Sequence, residues 1–158
     1  NVLDPKLKGF EKALYSVMLN LSKQIVADGE GAKKCITINV TRARSTQVAK
    51  KIAFSIANSP LVKTAVAGED PNYGRIIMAI GKSEENIITN KLTIKFGNFT
   101  IIENGKQIDN YNEVLVKEYM IWDAIEINID LNMGKNNFTV YTCDFTKDYI
   151  SINADYRN

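Results

Sequence analysis

The apolar residues of this chain change their spacing repeatedly, from every third or fourth position to every second and back. That switch restricts the fold to helices layered on a sheet. Phe10, Leu14, Val17, Leu21 and Ile25 predict an amphipathic helix over 4–28, with Asp4-Pro5 as cap and first turn and Gly29 as its end. Ile36, Ile38 and Val40 alternate with polar residues and predict a strand over 35–41. Ser45 opens a second helix, through about Ala57, which Asn58-Ser59-Pro60 stops. The short apolar stretch 61–68 reads as a strand. Asp70-Pro71-Asn72 caps a helix from Tyr73 to Gly81, and the polar stretch 82–90 is the best place for an internal boundary. Residues 92–96 and 99–102 form a hairpin around Gly97-Asn98, and Asn104-Gly105 adds a tight turn. A helix follows over 110–121. Ile125, Ile127, Ile129 and Leu131 then define the clearest strand, which Gly134 turns into a partner strand carrying Phe138, Val140 and Thr142. The expected class is α/β (α+β): layered helices on a mixed, partly antiparallel sheet.

The 158 residues suit one ordinary domain over 1–158, or two small ones sharing a core. The first residue is Asn1 rather than Met, so the chain reads as a piece of something longer. Twenty Lys and Arg against 18 Asp and Glu leave a net charge of +2, scattered along the chain. It lacks the clustered basic stripe that nucleic acid requires. No apolar run approaches the roughly 18 residues of a membrane span, and there is no signal-peptide pattern. Cys35 and Cys143 lie far apart without metal-ligand or CxxC spacing and read as buried structural thiols, which favours a cytoplasmic location. Asn-x-Ser/Thr triplets at Asn20, Asn39, Asn98 and Asn137 are expected of so Asn-rich a chain. The absence of His removes the Ser-His-Asp, Cys-His and Zn-His constellations, so chemistry must rest on Thr, Ser, Lys, carboxylates or amides.

Three segments hold more glycine and polar residues than a core element needs. In 28–34, two glycines flank Glu30 and allow a sharp turn that aims its carboxylate; read structurally, the same loop is a helix end with solvated charges. In 68–75, Asp70 caps a helix and Arg75 supplies a planar donor, which serves equally as a capped turn with an internal ion pair. The terminus 143–158 reads, on pattern alone, as a closing strand with a frayed end.

Together these segments resemble one family. Asp-Gly-Glu-Gly-Ala-x-Lys at 28–34, Ile-Ala-x-Ser-Ile-Ala-Asn-Ser-Pro-Leu-Val-Lys-Thr-Ala at 52–65, Asp-Pro-Asn-Tyr-Gly-Arg at 70–75 and Cys-Asp-Phe-Thr-x-Asp-Tyr-Ile-x-Ile-Asn-Ala-Asp-Tyr-Arg at 143–157 are similar to the C-terminal β chain of bifunctional ornithine acetyltransferase / N-acetylglutamate synthase, a glutamate N-acetyltransferase. The resemblance implies an enzyme of arginine biosynthesis that moves acetyl from N-acetylornithine to glutamate, with acetyl-CoA as a donor in bifunctional members and no cofactor or metal. It further implies autocatalytic cleavage into α and β chains, an α2β2 heterotetramer, and an acetyl-threonine intermediate whose nucleophile is the first residue of the β chain. An amine can serve as base to that threonine, so histidine is not needed. The nucleophile and oxyanion hole have no match here, and this chain by itself is expected to be inactive.

Carried over by the resemblance, Glu30, Asn153 and Asn158 are substrate-binding, Asn158 standing where Thr or Ser is usual. Lys33 stands where Thr is usual and Tyr73 where Trp is usual, the first placing a new charge three residues from Glu30. Asp70 and Arg75 remain structural, and Lys63-Thr64 is a loop anchor near the site. The alternatives are a self-processing N-terminal-nucleophile aminopeptidase or amidohydrolase, which uses water as acceptor, and a non-catalytic structural domain.

Overall fold

The computed structural model describes residues 7–109 and 111–155. Asp4, Pro5 and Asn158 lie outside them. Helix α1 runs over Leu7–Ala27, strand β1 over Cys35–Ala43, α2 over Thr46–Ala57, α3 over Pro60–Ala67 and α4 over Tyr73–Lys82. After a short 3-10 turn at Thr89–Lys91 come β2 (Thr93–Phe96), β3 (Phe99–Glu103), β4 (Lys106–Gln107), α5 (Glu113–Met120), β5 (Ala124–Asp130), β6 (Asn136–Cys143) and α6 (Lys147–Ala154). The strands form a single sheet in the order β4-β3-β2-β5-β1-β6, in which only β1 and β5 run parallel. The mixed α/β class read from the periodicity is therefore the observed one.

Strand β1 sits inside the sheet because both of its neighbours extend its apolar face. Ile36, Ile38 and Val40 are buried beside Ile125, Ile127 and Ile129 of β5, with α2 packed on β1 and β6. Fully burying each such side chain stabilises by roughly 1.5–3 kcal/mol. The opposite face is polar and half-buried. There Asn39 Nδ2 donates to Asn128 Oδ1 at 2.9 Å and Thr139 Oγ1 donates to Asn39 Oδ1 at 2.8 Å, which joins β6, β1 and β5 through side chains.

Several expectations need correction. Residues 61–68 are helical rather than a strand: Ser59 Oγ accepts from Val62 N, Pro60 occupies the first turn, and the buried Val62, Ala65 and Val66 fall on one helical face. The helix at Tyr73 is capped by Asn72, whose Oδ1 accepts from Arg75 N at 3.1 Å, not by Asp70. The turn at Gly134 does not pair β5 with β6, because β1 lies between them. The terminus is the helix α6, not a closing strand. On the two sides of the stretch 82–90, Ile76 and Ile80 before it and Leu92 and Ile94 after it belong to one core. Helix α1 has the expected stripe, yet buries none of it among the described residues. Phe10, Val17 and Ile25 are all more than half exposed.

Candidate functional site

Helix α1 ends beside β6, and the chain turns there into the loop that carries Glu30. Gly31 makes the turn possible. Its φ is +67°, and a Cβ at that position would stand 2.5 Å from Tyr149 N, so the loop backbone lies directly against the first turn of α6. Thr146 Oγ1 donates to Gly31 O at 2.6 Å across the same junction. Thr146, at the N-cap of α6, makes no side-chain cap bond.

The loop is held more firmly by Asp144. This residue is 3% exposed, and its Oδ1 accepts from both Lys33 N (2.8 Å) and Lys34 N (3.1 Å), while Asp144 N donates to Lys34 O. Hydrogen bonds to a buried carboxylate are among the stronger ones a backbone makes. The other oxygen, Oδ2, is buried without a hydrogen-bond partner among the described residues. Lys34 is also buried, and its ammonium donates to Ile121 O (2.9 Å) and Trp122 O (3.2 Å) at the C-terminal end of α5 and pairs with Glu69 at 3.2 Å. A cation there complements the orphan carbonyls of a helix end.

These fastenings bring Glu30 to Asn153, although 123 positions separate them: Asn153 Nδ2 donates to Glu30 Oε2 at 2.9 Å and to Tyr149 O at 2.9 Å. Both side chains are exposed. The amide hydrogens of Asn153 are thus engaged within the protein, and Glu30 Oε1 and Asn153 Oδ1, both acceptors on exposed side chains, form no hydrogen bond among the described residues. Such a pair suits an ammonium group.

Lys33 does not add a free charge next to Glu30. Its ammonium pairs with Asp148 at 2.8 Å, and that hydrogen bond raises its pKa above the ordinary lysine value. Lys63 meets the terminus through its backbone, its carbonyl accepting from Phe145 N at 3.3 Å. Arg75 is structural but forms no pair with Asp70: it donates to Leu61 O at 2.9 Å and to Thr64 Oγ1 at 3.3 Å, while Asp70 accepts from Asn72 Nδ2. Tyr73 donates to Gln107 Oε1 at 2.9 Å. Among the described residues no group of three or more Cys, Asp or Glu side chains is gathered as a metal site, and no helix is long and apolar enough to cross a membrane. Asp144, Thr146 and Asp148 escaped attention in the sequence as individual residues. They lie within the motif at 143–157, but nothing in its local pattern set them apart from the residues around them.

Comparison with known proteins assigns the chain to a family. The model of the ArgJ family matches residues 1–158. The arginine biosynthesis bifunctional protein ArgJ of Brucella melitensis is 49% identical over 155 residues, covering 98% of this chain and 38% of that relative, and the Caulobacter vibrioides protein of the same name is 44% identical over the same span. The crystal structure of the arginine biosynthesis bifunctional protein ArgJ from Bacillus halodurans superposes with a TM-score of 0.94 at 36% identity, covering 99% of this chain and 73% of that one. The chain thus spans well under half the length of the Brucella relative, and throughout its own length it belongs to the ArgJ family.

Proposed function

We propose that this chain supplies the amine-gripping half of the substrate site in an acetyltransferase of arginine biosynthesis, one that moves an acetyl group from N-acetylornithine to glutamate. The observation that carries this reading is the contact between Glu30 and Asn153, two residues that lie 123 positions apart in the sequence and are joined by the fold. Their remaining acceptors can hold the free ammonium group of acetylornithine, and a carboxylate there binds an ammonium with charge-assisted strength. Family likeness supports the direction of transfer. It also supports the remaining parts of the scheme: a threonine from a preceding segment takes the acetyl group as an ester, ornithine leaves, and glutamate attacks the ester in turn. An oxyanion hole on the α chain of the same precursor stabilises each tetrahedral intermediate. In this reading the chain works within an α2β2 assembly after autocatalytic cleavage, and Asn158 adds a further substrate contact. Acetyl-CoA acts as a second donor to glutamate.

Replacing Glu30 by Ala in the complete enzyme is expected to raise the KM for acetylornithine at least about tenfold, the loss of one charge-assisted bond of ~1.5–3 kcal/mol. Asn153→Ala should follow in the same direction, because it frees the carboxylate from its orienting partner. Steady-state kinetics with acetylornithine and glutamate would check both. An unchanged KM in Glu30→Ala removes this carboxylate from the site.

A further inference from the structure

Two thiols that the sequence places far apart are cross-strand partners in the fold. Cys35 opens β1 and Cys143 closes β6, and the antiparallel register sets them directly opposite each other. Neither is in a disulfide, and both are half-buried rather than buried as the sequence suggests. The backbone bonds identify which kind of pair they form. Cys35 N donates away from β6, to Asp123 O at 2.7 Å, whereas the preceding residue, Lys34, accepts from Asp144 N through its carbonyl. Since N–H and C=O of one strand residue point the same way, Cys35 and Cys143 exchange no backbone bonds with each other. They occupy the narrow kind of antiparallel site, where opposing Cα atoms approach to about 4.5 Å. A disulfide needs Cα atoms roughly 4.4–6.8 Å apart.

Their surroundings connect this pair to the site. A Cβ built on Gly29 would stand 3.1 Å from Cys143 Sγ, so the sulfur rests against the residue immediately before Glu30. Lys63 Nζ lies 4.0 Å from the same sulfur. Asp144, which holds the loop through Lys33 and Lys34, directly follows Cys143. Cys35 also lines a cleft of about 370 Å³ beneath the end of α1, beside Val26, Ala27 and Tyr141, through which a small molecule can reach it.

We propose that Cys35 and Cys143 form a reversible disulfide by exchange with a small-molecule disulfide, and that its formation loosens the loop carrying Glu30. The Cys35 thiolate, reached through the cleft beneath α1, attacks one sulfur of the oxidant, giving a mixed disulfide and releasing one thiolate. Cys143 then attacks Cys35 Sγ and expels the second. The two cysteine protons end on the two released thiols, so one disulfide is consumed, one is formed, and two thiols are produced. To bond across the strand pair, Cys143 Sγ must swing toward Cys35 and withdraw its packing from Gly29. The coupling to substrate rests on the function proposed above, but the disulfide does not.

The test uses the complete protein that contains this chain, treated with oxidised or reduced glutathione. Peptide mapping without reductant is expected to recover the Cys35 and Cys143 peptides joined to each other, and separate again after dithiothreitol. Ornithine affinity, measured by calorimetry, is expected to fall at least about fivefold on oxidation, to recover on reduction, and to be indifferent to oxidation in Cys35→Ser. Recovery of both cysteines as free thiols, as stable glutathione adducts, or as links between molecules would overturn the disulfide. A joined pair with unchanged ornithine affinity would overturn the coupling. Failure of ornithine to bind in either redox state, with the pair still joined on oxidation, counts against the proposed substrate rather than against the disulfide.

Discussion

Gly31 shows at the level of one residue what the site requires. Its left-handed backbone and the absence of a side chain let the Glu30 loop rest on α6, and Ala there would meet two backbone atoms, Tyr149 N at 2.5 Å and Asp148 C at 2.9 Å. Neither neighbour can rotate away. Gly31→Ala should therefore destabilise by about 2 kcal/mol or more, read as a lower urea midpoint, and should raise the acetylornithine KM as well. Gly29→Ala is the informative contrast, because its Cβ would meet the Cys143 sulfur at 3.1 Å and Val26 O at 3.3 Å, contacts looser than those at Gly31. It should cost clearly less, and equal losses for the two would contradict this account of the loop. At this scale the glycine pattern in the sequence drew attention to Glu30 but suited a solvated helix end as well, and the resemblance was needed to make it a substrate contact. Asn153 had no comparable local signal and emerged only from the resemblance, because its partner is 123 positions away.

Among the elements, helices with a capping residue and a clear apolar stripe were legible, and short apolar stretches were not. Leu61-Val-Lys-Thr-Ala-Val-Ala fits a strand as well as a helix by hydrophobicity alone. Ser59 and Pro60 decide it, since together they supply a cap acceptor and a preset first turn. Ser59→Ala should consequently lower stability by about 1 kcal/mol, measured by thermal or urea unfolding, and a neutral result would mean that packing of Val62, Ala65 and Val66 alone sustains α3. Helix α6 was missed for a different reason. It buries no residue of its own among those described, so it leaves no apolar stripe to be read. It is held instead by contacts of its first turns with the Glu30 loop, through Gly31, Lys33 and Thr146.

For the molecule as a whole, the titrating groups whose pKa values move set an alkaline limit. Burial pushes up the Cys35 thiol and the Tyr119 phenol, and the hydrogen bond to Asp148 holds up the Lys33 ammonium. A raised value means the folded state keeps its proton longer than the unfolded chain. This contribution is fully present below the unfolded values and is lost as pH rises through the folded ones. Thermal stability should thus decline from the ordinary thiol value of 9.0 upward, and a midpoint that stays level or rises through that range would refute it. The spacing of apolar residues by itself determined which segments are helices and strands wherever a cap or an alternation supported it, because those choices are settled within a few neighbouring residues. Only the tertiary structure decided that β1 runs between β5 and β6, that Cys35 faces Cys143, and that Glu30 meets Asn153. Each depends on backbone pairing and buried hydrogen bonds between segments about a hundred residues apart, and the local period of a sequence carries no record of such partners.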